Sequence, residues 1–379
     1  MRLMFVITGL GAGGAEAMLV KLLAQKAFAR DEIMVVSLLE SGTRSAELIA
    51  LGHRLEHLGI SRSLSTWGRV FGLYRLIRTF KPDLIHSWMY HADLVAGIIG
   101  KIASIRHIVW SIRQSNLARE YNKASTLLAI RACAFLSSFI PNAIITNSTV
   151  ARQSHIGAGY KADKIRVIPN GFDLDNYAPD KAVRSDFRAT LNMDDETHLV
   201  GLVARFDPVK NHEGFFAAAQ AIHAALPDVR FVLAGTDITN HNQTLMAMID
   251  KAGLRGQTHL LGTMDDIASI MNGIDVLLSS SHGEAFPNVL GEAMACGTPC
   301  VTTDVGDCKT IVDDTGAVIK AGDMDALAKE AIAILSLSAK KRSILARNAR
   351  IRIETHYEIG KIASDFRACF ERIHEDRIN

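Results

Sequence analysis

The sequence predicts two doubly wound α/β domains in tandem, and three observations carry that prediction. Short apolar, β-rich runs alternate with helical segments from the start of the chain. The alternation breaks in a turn-rich, acidic stretch from 169 to about 197, and then it begins again. Alternating β and α elements build a parallel sheet with helices on both faces. A chain of 379 residues is long enough for one core in each of two domains.

In the first round, strands are expected at 3–8, 32–39, 83–87, 106–111, 142–146 and 165–168. Runs such as Ile33-Met-Val-Val-Ser37 and Ala143-Ile-Ile-Thr146 are apolar at nearly every position, as strands buried on both faces require. Helices at about 14–28, 66–80, 91–103, 122–138 and 148–157 fill the gaps. The second round places strands at 199–204, 230–234, 259–261, 275–279 and 300–302. The domain boundaries follow: a Rossmann-like domain at 1–172, a linker at 173–196, and a second Rossmann-like domain at 197–356. A closing helix at 357–379 is expected to complete the first domain. Ligands of such sheets bind outside the carboxyl ends of the strands, so a cleft between the two lobes is the expected site.

Composition narrows the classes. With 48% hydrophobic and 22% charged residues, the chain can bury enough surface to offset its entropy, which excludes disorder. Five cysteines without a C-x-x-C pair exclude a disulfide scaffold and point to a reduced, cytoplasmic protein. The opening apolar run, Leu3 to Thr8, is too short for a signal peptide. The apolar stretch 125–145 is broken by Arg131 and by Pro141-Asn142, so it is not expected to span a membrane. Residues 1–180 carry 21 basic and 13 acidic side chains, and the remainder 21 and 27, so the halves differ in sign. No long basic run or aromatic-basic motif suggests nucleic acid.

Three motifs carry chemistry. Gly9-Leu-Gly-Ala-Gly-Gly14-Ala-Glu16 follows the first strand and satisfies G-x-G-x-x-G at Gly9, Gly11 and Gly14, a loop through which backbone can approach a phosphate. Ser279-Ser-Ser-His-Gly-Glu284-Ala-Phe286-Pro287-Asn288-Val289-Leu290-Gly-Glu292 runs from a strand end into a helix, with Pro287 expected as the first helical residue and Gly297 past the last. The amides of Asn288, Val289 and Leu290 are then expected to be unpaired and to offer an anion site. Glu284 and Glu292 would each present two acceptor oxygens, suited to the vicinal hydroxyls of sugars. Arg205 and Lys210 follow the first strand of the second round, where a planar fork and a point charge can clamp a diphosphate in place of Mg²⁺.

In this order the motifs resemble those of retaining GT-B glycosyltransferases of glycosyltransferase family 4. The spacing Glu284-x₇-Glu292 resembles the family's E-x₇-E signature, and the likeness covers nearly the whole chain. It takes in Gly11-Ala-Gly-Gly-Ala-Glu16, Ile85-His-Ser-Trp-Met-Tyr-His91, Val167-Ile-Pro-Asn-Gly171, Arg205 with Lys210-Asn211, Thr303-Asp-Val-Gly-Asp307 and the closing helix. The resemblance implies a GT-B fold and a transferase that moves a hexose-type sugar from a UDP- or GDP-linked donor, with retention and without a metal. The acceptor it implies is a glycan or lipid-linked saccharide, in cell-surface polysaccharide or glycolipid assembly. Glu284 resembles the residue that holds the transferred sugar, and Glu292 the one that grips the ribose. Arg205 and Lys210 resemble the diphosphate clamp, and Gly13 and Gly14 the backbone contact to the donor. His91 resembles the histidine beside the reacting sugar, and Gly262-Thr-Met-Asp-Asp266 the loop beside the base. Phe286, Asn288, Val289 and Leu290 complete the expected donor set.

Other readings remain open at this stage. A nucleotide-sugar epimerase or hydrolase could use the same donor site, and a dehydrogenase could bind NAD at Gly9, Gly11 and Gly14. Asp173-x-Asp175 and Asp323-x-Asp325 read as turn and cap residues rather than a metal motif. Cys296, Cys300 and Cys308 read as core residues, and Tyr357-x₃-Lys361 lies too near the C-terminus to act as a dehydrogenase pair. On the acceptor side, Arg106 and Arg113 are expected near the site. The stretch 61–81 carries Arg62, Arg69, Arg75, Arg78 and Lys81 with no acid, and its apolar side holds Trp67, Val70, Phe71, Tyr74 and Ile77. Peripheral contact with the inner face of a membrane is one reading of it, and a packing helix with a basic outer rim is the other.

Overall fold

A computed structural model describes residues 1–11, 13–60, 68–119 and 122–375. The chain forms two units, Met1–Gly171 with Ile359–Asn379, and Phe172–Glu358.

The first unit holds seven strands: β1 (Arg2–Ile7), β2 (Glu32–Ser37), β3 (Arg54–His57), β4 (Leu84–Trp88), β5 (His107–Ile112), β6 (Ala143–Thr146) and β7 (Ile165–Val167). Their order is β3-β2-β1-β4-β5-β6-β7, and every pairing is parallel. Leu3, Phe5 and Ile7 face one core, and Met4 and Val6 face another, which is why β1 reads as continuously apolar. Helices α1 (Gly14–Leu23), α2 (Ser45–Ala50), α3 (Val70–Phe80), α4 (Tyr90–Ile102), α5 (Ala124–Leu136) and α6 (Thr149–Gly157) connect the strands. Sequence periodicity misses α2 and β3. The α2 segment is six residues long, and β3 is a four-residue edge strand, Arg-Leu-Glu-His, with no apolar run.

The second unit contains α7 (Lys181–Thr190), β8 (Leu199–Val203), α8 (His212–Ala225), β9 (Arg230–Ala234), α9 (Gln243–Ala252), β10 (Thr258–Leu260), α10 (Ile267–Gly273) and β11 (Val276–Ser279). It continues with α11 (Asn288–Ala295), β12 (Cys300–Thr303), α12 (Cys308–Val312), β13 (Ala317–Ile319), α13 (Met324–Leu335) and α14 (Ala339–His356). Its strand order is β10-β9-β8-β11-β12-β13, again all parallel. Segment 173–196, expected as a linker, belongs to this unit. Asp180 caps α7 by accepting the Ala182 and Val183 amides, and the buried Arg188 donates to the Gly273 carbonyl at 2.8 Å. A Cβ on Gly273 would sit 2.0 Å from the Phe187 ring, so only glycine lets α7 lie this close.

Each sheet reverses its order once, between β1 and β4 and between β8 and β11. Such switch points leave a crevice outside the carboxyl ends of the two central strands. The glycine loop follows β1, His91 follows β4, Arg205 and Lys210 follow β8, and Glu284 follows β11. The motifs therefore gather at the two reversals.

The closing helix, α15 (Ile359–Glu375), packs on the first unit. Phe366 stacks on Trp88 with centroids 6.3 Å apart, Phe370 lies 6.3 Å from Phe5, and Arg367 pairs with the buried Asp31. No helix among the described residues is long and apolar enough to cross a membrane. Phe370 is fully buried, so Phe370→Ala is expected to destabilise the first unit by about 3–5 kcal/mol. All three tryptophans lie in that unit, so urea unfolding followed by tryptophan fluorescence reads it alone. An unchanged transition would remove α15 from its core.

Candidate active site

In the second unit the site is built from three loops at the carboxyl edge of the sheet. After β8, Arg205 places Nε and Nη2 each 3.0 Å from Asp207 Oδ2, and its side chain is 66% exposed. Asp207 Oδ1 accepts the Val209 amide at 2.9 Å and caps a 3-10 turn at Pro208–Lys210. Burial pushes the Asp207 carboxyl up, but the Val209 amide, Arg205 and Lys210 outweigh it and hold the group below the usual carboxylate range. Asn211 adopts a left-handed conformation, φ 52°, and its Oδ1 caps α8 by accepting the Gly214 amide at 3.0 Å.

The loop after β11 is bonded to this turn. Ser280 Oγ donates to the Lys210 and Asn211 carbonyls at 3.2 and 2.9 Å. Asn211 Nδ2 donates back to the Ser280 carbonyl at 3.1 Å, and the His282 amide donates to the Val209 carbonyl at 2.7 Å. The result is a direct contact between two residues far apart in sequence: Lys210 Nζ lies 2.6 Å from Glu284 Oε1, with side-chain exposures of 21% and 11%. Ser281 Oγ donates to the same oxygen at 2.8 Å. The loop after β12 closes against the other side. Thr303 Oγ1 donates to the Ser281 carbonyl at 2.6 Å, and the Asp307 amide to the Ala285 carbonyl at 3.0 Å. Gly306, φ 57°, approaches so closely that a Cβ would meet the Glu284 carbonyl at 2.5 Å.

Glu292 lies half-buried on α11, where it accepts the Tyr177 hydroxyl. Burial and that carboxylate push the phenol well up. Two expectations for α11 change. Pro287 is the capping residue rather than the first helical one, and the Leu290 amide is not free, since it donates to the Pro287 carbonyl at 3.2 Å. The side chains of Phe286 and Leu290 point into the core. Phe286 stacks on Phe172 at 6.2 Å, and Val289 packs against the same cluster. Beside the site, His212 is buried against Phe206, neither ring nitrogen has a hydrogen-bond partner among the described residues, and burial with Lys210 nearby pushes it down to about 4. Sequence reasoning misses Asp207, Ser280, Ser281 and Tyr177. Only Asp207 leaves a local signal, as an acid directly before Pro208 at a turn start.

In the first unit, the glycine loop leads into α1, with Gly13 as its N-cap. The Glu16 carboxylate folds back over that position, and a Cβ on Gly13 would lie 2.4 Å from its Oε2. Burial raises Glu16, while its own amide and Arg44 lower it. The end of α1 thus already faces a carboxylate, where a dinucleotide fold would place its pyrophosphate. His91 is the second residue of α4, half-buried and pushed down by burial. The turn before it holds Met89 at φ 74°. Asp93, buried one turn later, accepts the Ser87 hydroxyl at 2.6 Å and the Ser111 amide at 3.4 Å.

Arg113 lies with its guanidinium 4.0 Å over the Trp88 ring and donates to Asn170 Oδ1 at 3.0 Å. Its Nε and Nη2 are buried without a partner among the described residues. Burial pushes it down to about 9, against the opposing pull of Asp93. Arg106 is not near it. The two flank β5 at its opposite ends, about 20 Å apart at the rise of an extended strand, so they do not meet one small ligand.

The remaining motifs have structural uses. Asp173 Oδ1 accepts the Asp175 and Asn176 amides, and Asp323 caps α13. Cys296, Cys300 and Cys308 are buried, and burial raises each thiol. The Tyr357 ring packs 5.8 Å from Phe286. Gly262, φ 68°, donates its amide to the Ile238 carbonyl in the loop after β10.

Comparison with known proteins agrees with this layout. Residues 12–176 match the model of the family described as Glycosyltransferase Family 4, and residues 183–352 match that described as Glycosyl transferases group 1. An Escherichia coli protein, UDP-Gal:alpha-D-GlcNAc-diphosphoundecaprenol alpha-1,3-galactosyltransferase, is 25% identical over 77% of this chain and 76% of its own length. A D-inositol 3-phosphate glycosyltransferase of Mycobacterium sp. (strain KMS) is 27% identical over 67% of this chain and 60% of its own. Among solved structures, HepE of Anabaena in complex with UDP superposes with a TM-score of 0.84 at 23% identity. That match covers 98% of this chain and all of the other, a likeness of fold. Two parallel-sheet units of this order, with the E-x₇-E carboxylates and the cation pair on the second, place the chain among the GT-B glycosyltransferases of family 4.

Proposed function

We propose that this glycosyltransferase moves a hexose from a UDP- or GDP-linked donor to a glycan or lipid-linked acceptor with retention of configuration. The second unit would hold the donor, and the first unit, completed by α15, would hold the acceptor. The E. coli relative's name specifies a sugar on diphosphoundecaprenol, which supports a role in cell-surface polysaccharide or glycolipid assembly. The workplace would be the cytoplasmic face of a membrane, touched peripherally through the basic first unit.

The observation that carries the proposal is the contact of Lys210 with Glu284 beside Arg205 at the sheet reversal. A donor's diphosphate would take Lys210 and Arg205, and the sugar hydroxyls would take the Glu284 oxygens. Glu292 would accept from the ribose, with Gly13 and Gly14 giving backbone contact from the first unit. The backbone of Phe286, Asn288, Val289 and Leu290 would border the phosphates. Two cations on the leaving diphosphate stabilise its developing charge as a metal would, which supports a metal-independent reaction. The first-unit residues named so far include no obvious carboxylate nucleophile, which favours a front-face route in which the leaving phosphate takes the acceptor's proton. His91, whose imidazole is pushed down by burial, would orient the donor, and Arg113 would meet an anionic acceptor.

Three outcomes test this. Lys210→Ala is expected to lower turnover about 10²–10³-fold, the scale for losing a preorganised donor to developing negative charge. A fall below about fivefold, under about 1 kcal/mol, would sink its role. Glu292→Ala is expected to weaken nucleoside diphosphate binding by about 10–100-fold, the range for a hydrogen bond to a charged group, with turnover at saturation changed far less. Thermal shifts with UDP, GDP, ADP and NAD, each repeated in EDTA, should show one nucleoside diphosphate stabilising the protein by about 2.7 kcal/mol at a hundred times its dissociation constant. A shift abolished by EDTA would overturn metal independence. Sugar release or epimerisation without any acceptor would favour the hydrolase or epimerase.

A further inference from the structure

The first unit exposes an apolar surface that its fold does not use. α5 carries one charge, Arg131, in thirteen residues, and it is apolar on its outer side as well as its inner. Phe135 and Phe139 are 73% and 69% exposed, with ring centroids 5.9 Å apart. They stand on a fixed turn, because Lys164 Nζ donates to the carbonyls of Ser137, Ser138 and Pro141 at 3.1, 2.9 and 2.8 Å. Ile140 then packs into α4 at Gly97, where a Cβ would lie 2.9 Å from its Cγ2. That joins the phenylalanines to the last turns of α4, whose Ile98 and Ile102 are also exposed. Exposed apolar residues grouped on packed neighbouring helices in this way mark an interaction face.

The charge around it is mainly basic. Residues 83–163 hold eight basic side chains and four acidic ones, Asp83, Asp93, Glu120 and Asp163, with Asp83 acting on His107 and Asp163 on Lys164. Asp93 is buried, and Glu120 lies outside the described residues. Exposed Lys101 and Arg106 border a cavity of about 520 Å³ at the amino end of β5, which Ser104, His107 and Asn142 also line. His107 is 8% exposed, its ring packs on His374, and its buried Nδ1 has no hydrogen-bond partner among the described residues. A polar atom left this way in a cationic pocket suits a phosphate oxygen or its water. By contrast, α3 does not offer such a face. Its Leu73, Ile77 and Phe80 are in the core and Tyr74 packs against them, leaving Phe71 exposed beside Arg75 and Arg78. Arg62 and Trp67 lie outside the described residues.

We propose that the face formed by Ile98, Ile102, Phe135 and Phe139, framed by Lys101 and Arg106, docks on an anionic lipid bilayer, with a headgroup phosphate in the Lys101–Arg106–His107 cavity. The two rings enter the headgroup boundary, and the cations meet the surface charge. The proposal deepens the membrane contact put forward above and rests on that reading for its purpose. The surface chemistry stands independently of it.

Cosedimentation of the full chain with phosphatidylglycerol or phosphatidylcholine vesicles tests it. Binding is expected to the anionic vesicles alone. Phe135→Ser/Phe139→Ser should abolish most of it. Lys101→Gln/Arg106→Gln should lower partitioning by about 30-fold, at about fivefold for each cation near the surface. Arg75→Gln/Arg78→Gln on α3 should lose less than either. No anionic binding, equal binding by patch variants and wild type, or the larger loss in the α3 variant would overturn the proposal. So would a dimer that the phenylalanine variant dissolves and that binds no vesicles. The four substituted positions are exposed, so no core defect is expected, and thermal shifts with UDP and with GDP on each preparation separate the readings. Lost docking with the nucleotide shift intact concerns this surface, whereas no shift with either nucleotide in the wild type would sink the donor reading.

Discussion

The second unit's chemistry depends on one seam of hydrogen bonds across the reversal in its strand order. β8 and β11 are neighbours, but α8 and α11 leave them for opposite faces of the sheet, one into each core cluster. Loops that diverge in this way share no geometry unless something ties them. Ser280 does so by donating to the Lys210 and Asn211 carbonyls, and Asn211 answers through its amide. With the two loops joined, Lys210 is held on Glu284 rather than sampling the rotamers of a free lysine, whose ordering costs about 1.5–2 kcal/mol. The left-handed Asn211 is the hinge of this arrangement, and its side chain caps α8 in the same conformation. Cation, carboxylate and helix start are therefore set by one residue and its serine partner.

The first unit meets the same topological problem differently. Its reversal lies between β1 and β4, and the chain leaves β4 through Met89 at φ 74°. A bulky residue there costs on the order of 1–3 kcal/mol and persists only where its surroundings over-determine it. They do so here. The Met89 amide donates to the Ser111 carbonyl at 3.0 Å, and the Asp93 amide to the Met89 carbonyl at 2.9 Å. The Asp93 carboxyl is raised by burial despite its bonds to Ser87 and Ser111 and the nearby charge of Arg113. That strained turn fixes where α4 begins, with His91 as its second residue. In the same unit, the Glu16 carboxylate folds over Gly13 at the start of α1.

What the sequence showed and what it hid divide along physical lines. Central strands were legible because both their faces are buried, so nearly every residue is apolar, with His86 and Ser87 of β4 as buried exceptions. The edge strands β3 and β13 were not, being short and only half-covered. Helix α7 hid inside an apparent linker because Phe187 is its one large apolar contact, and its hold on the core runs through Arg188, a residue that periodicity counts as surface. Site residues with a local frame, such as Glu284 and Glu292, could be placed from spacing. The partners that define them could not. Tyr177 for Glu292, and Lys210 for Glu284, are set by packing between segments that no local rule connects. Phe286 belonged to the right loop, but its ring serves the core.

Arg106 and Arg113 show why residue type alone does not assign a site. Both are arginines at the ends of one strand, and the sequence gives them equal standing. Arg106 stays in water beside Lys101, where its charge acts over a Debye length of about 8–10 Å and favours an extended anionic surface. Arg113 lies under Phe366 and over Trp88, stripped of water at two nitrogens, so its charge acts at contact distance and favours one anion in one orientation. Burial separates a steering charge from a recognising one, and the closing helix supplies it. Phe366 arrives about two thirds of the chain later to cover the residue that follows the fifth strand, which is why α15 matters to the chemistry as well as to the stability of the first unit.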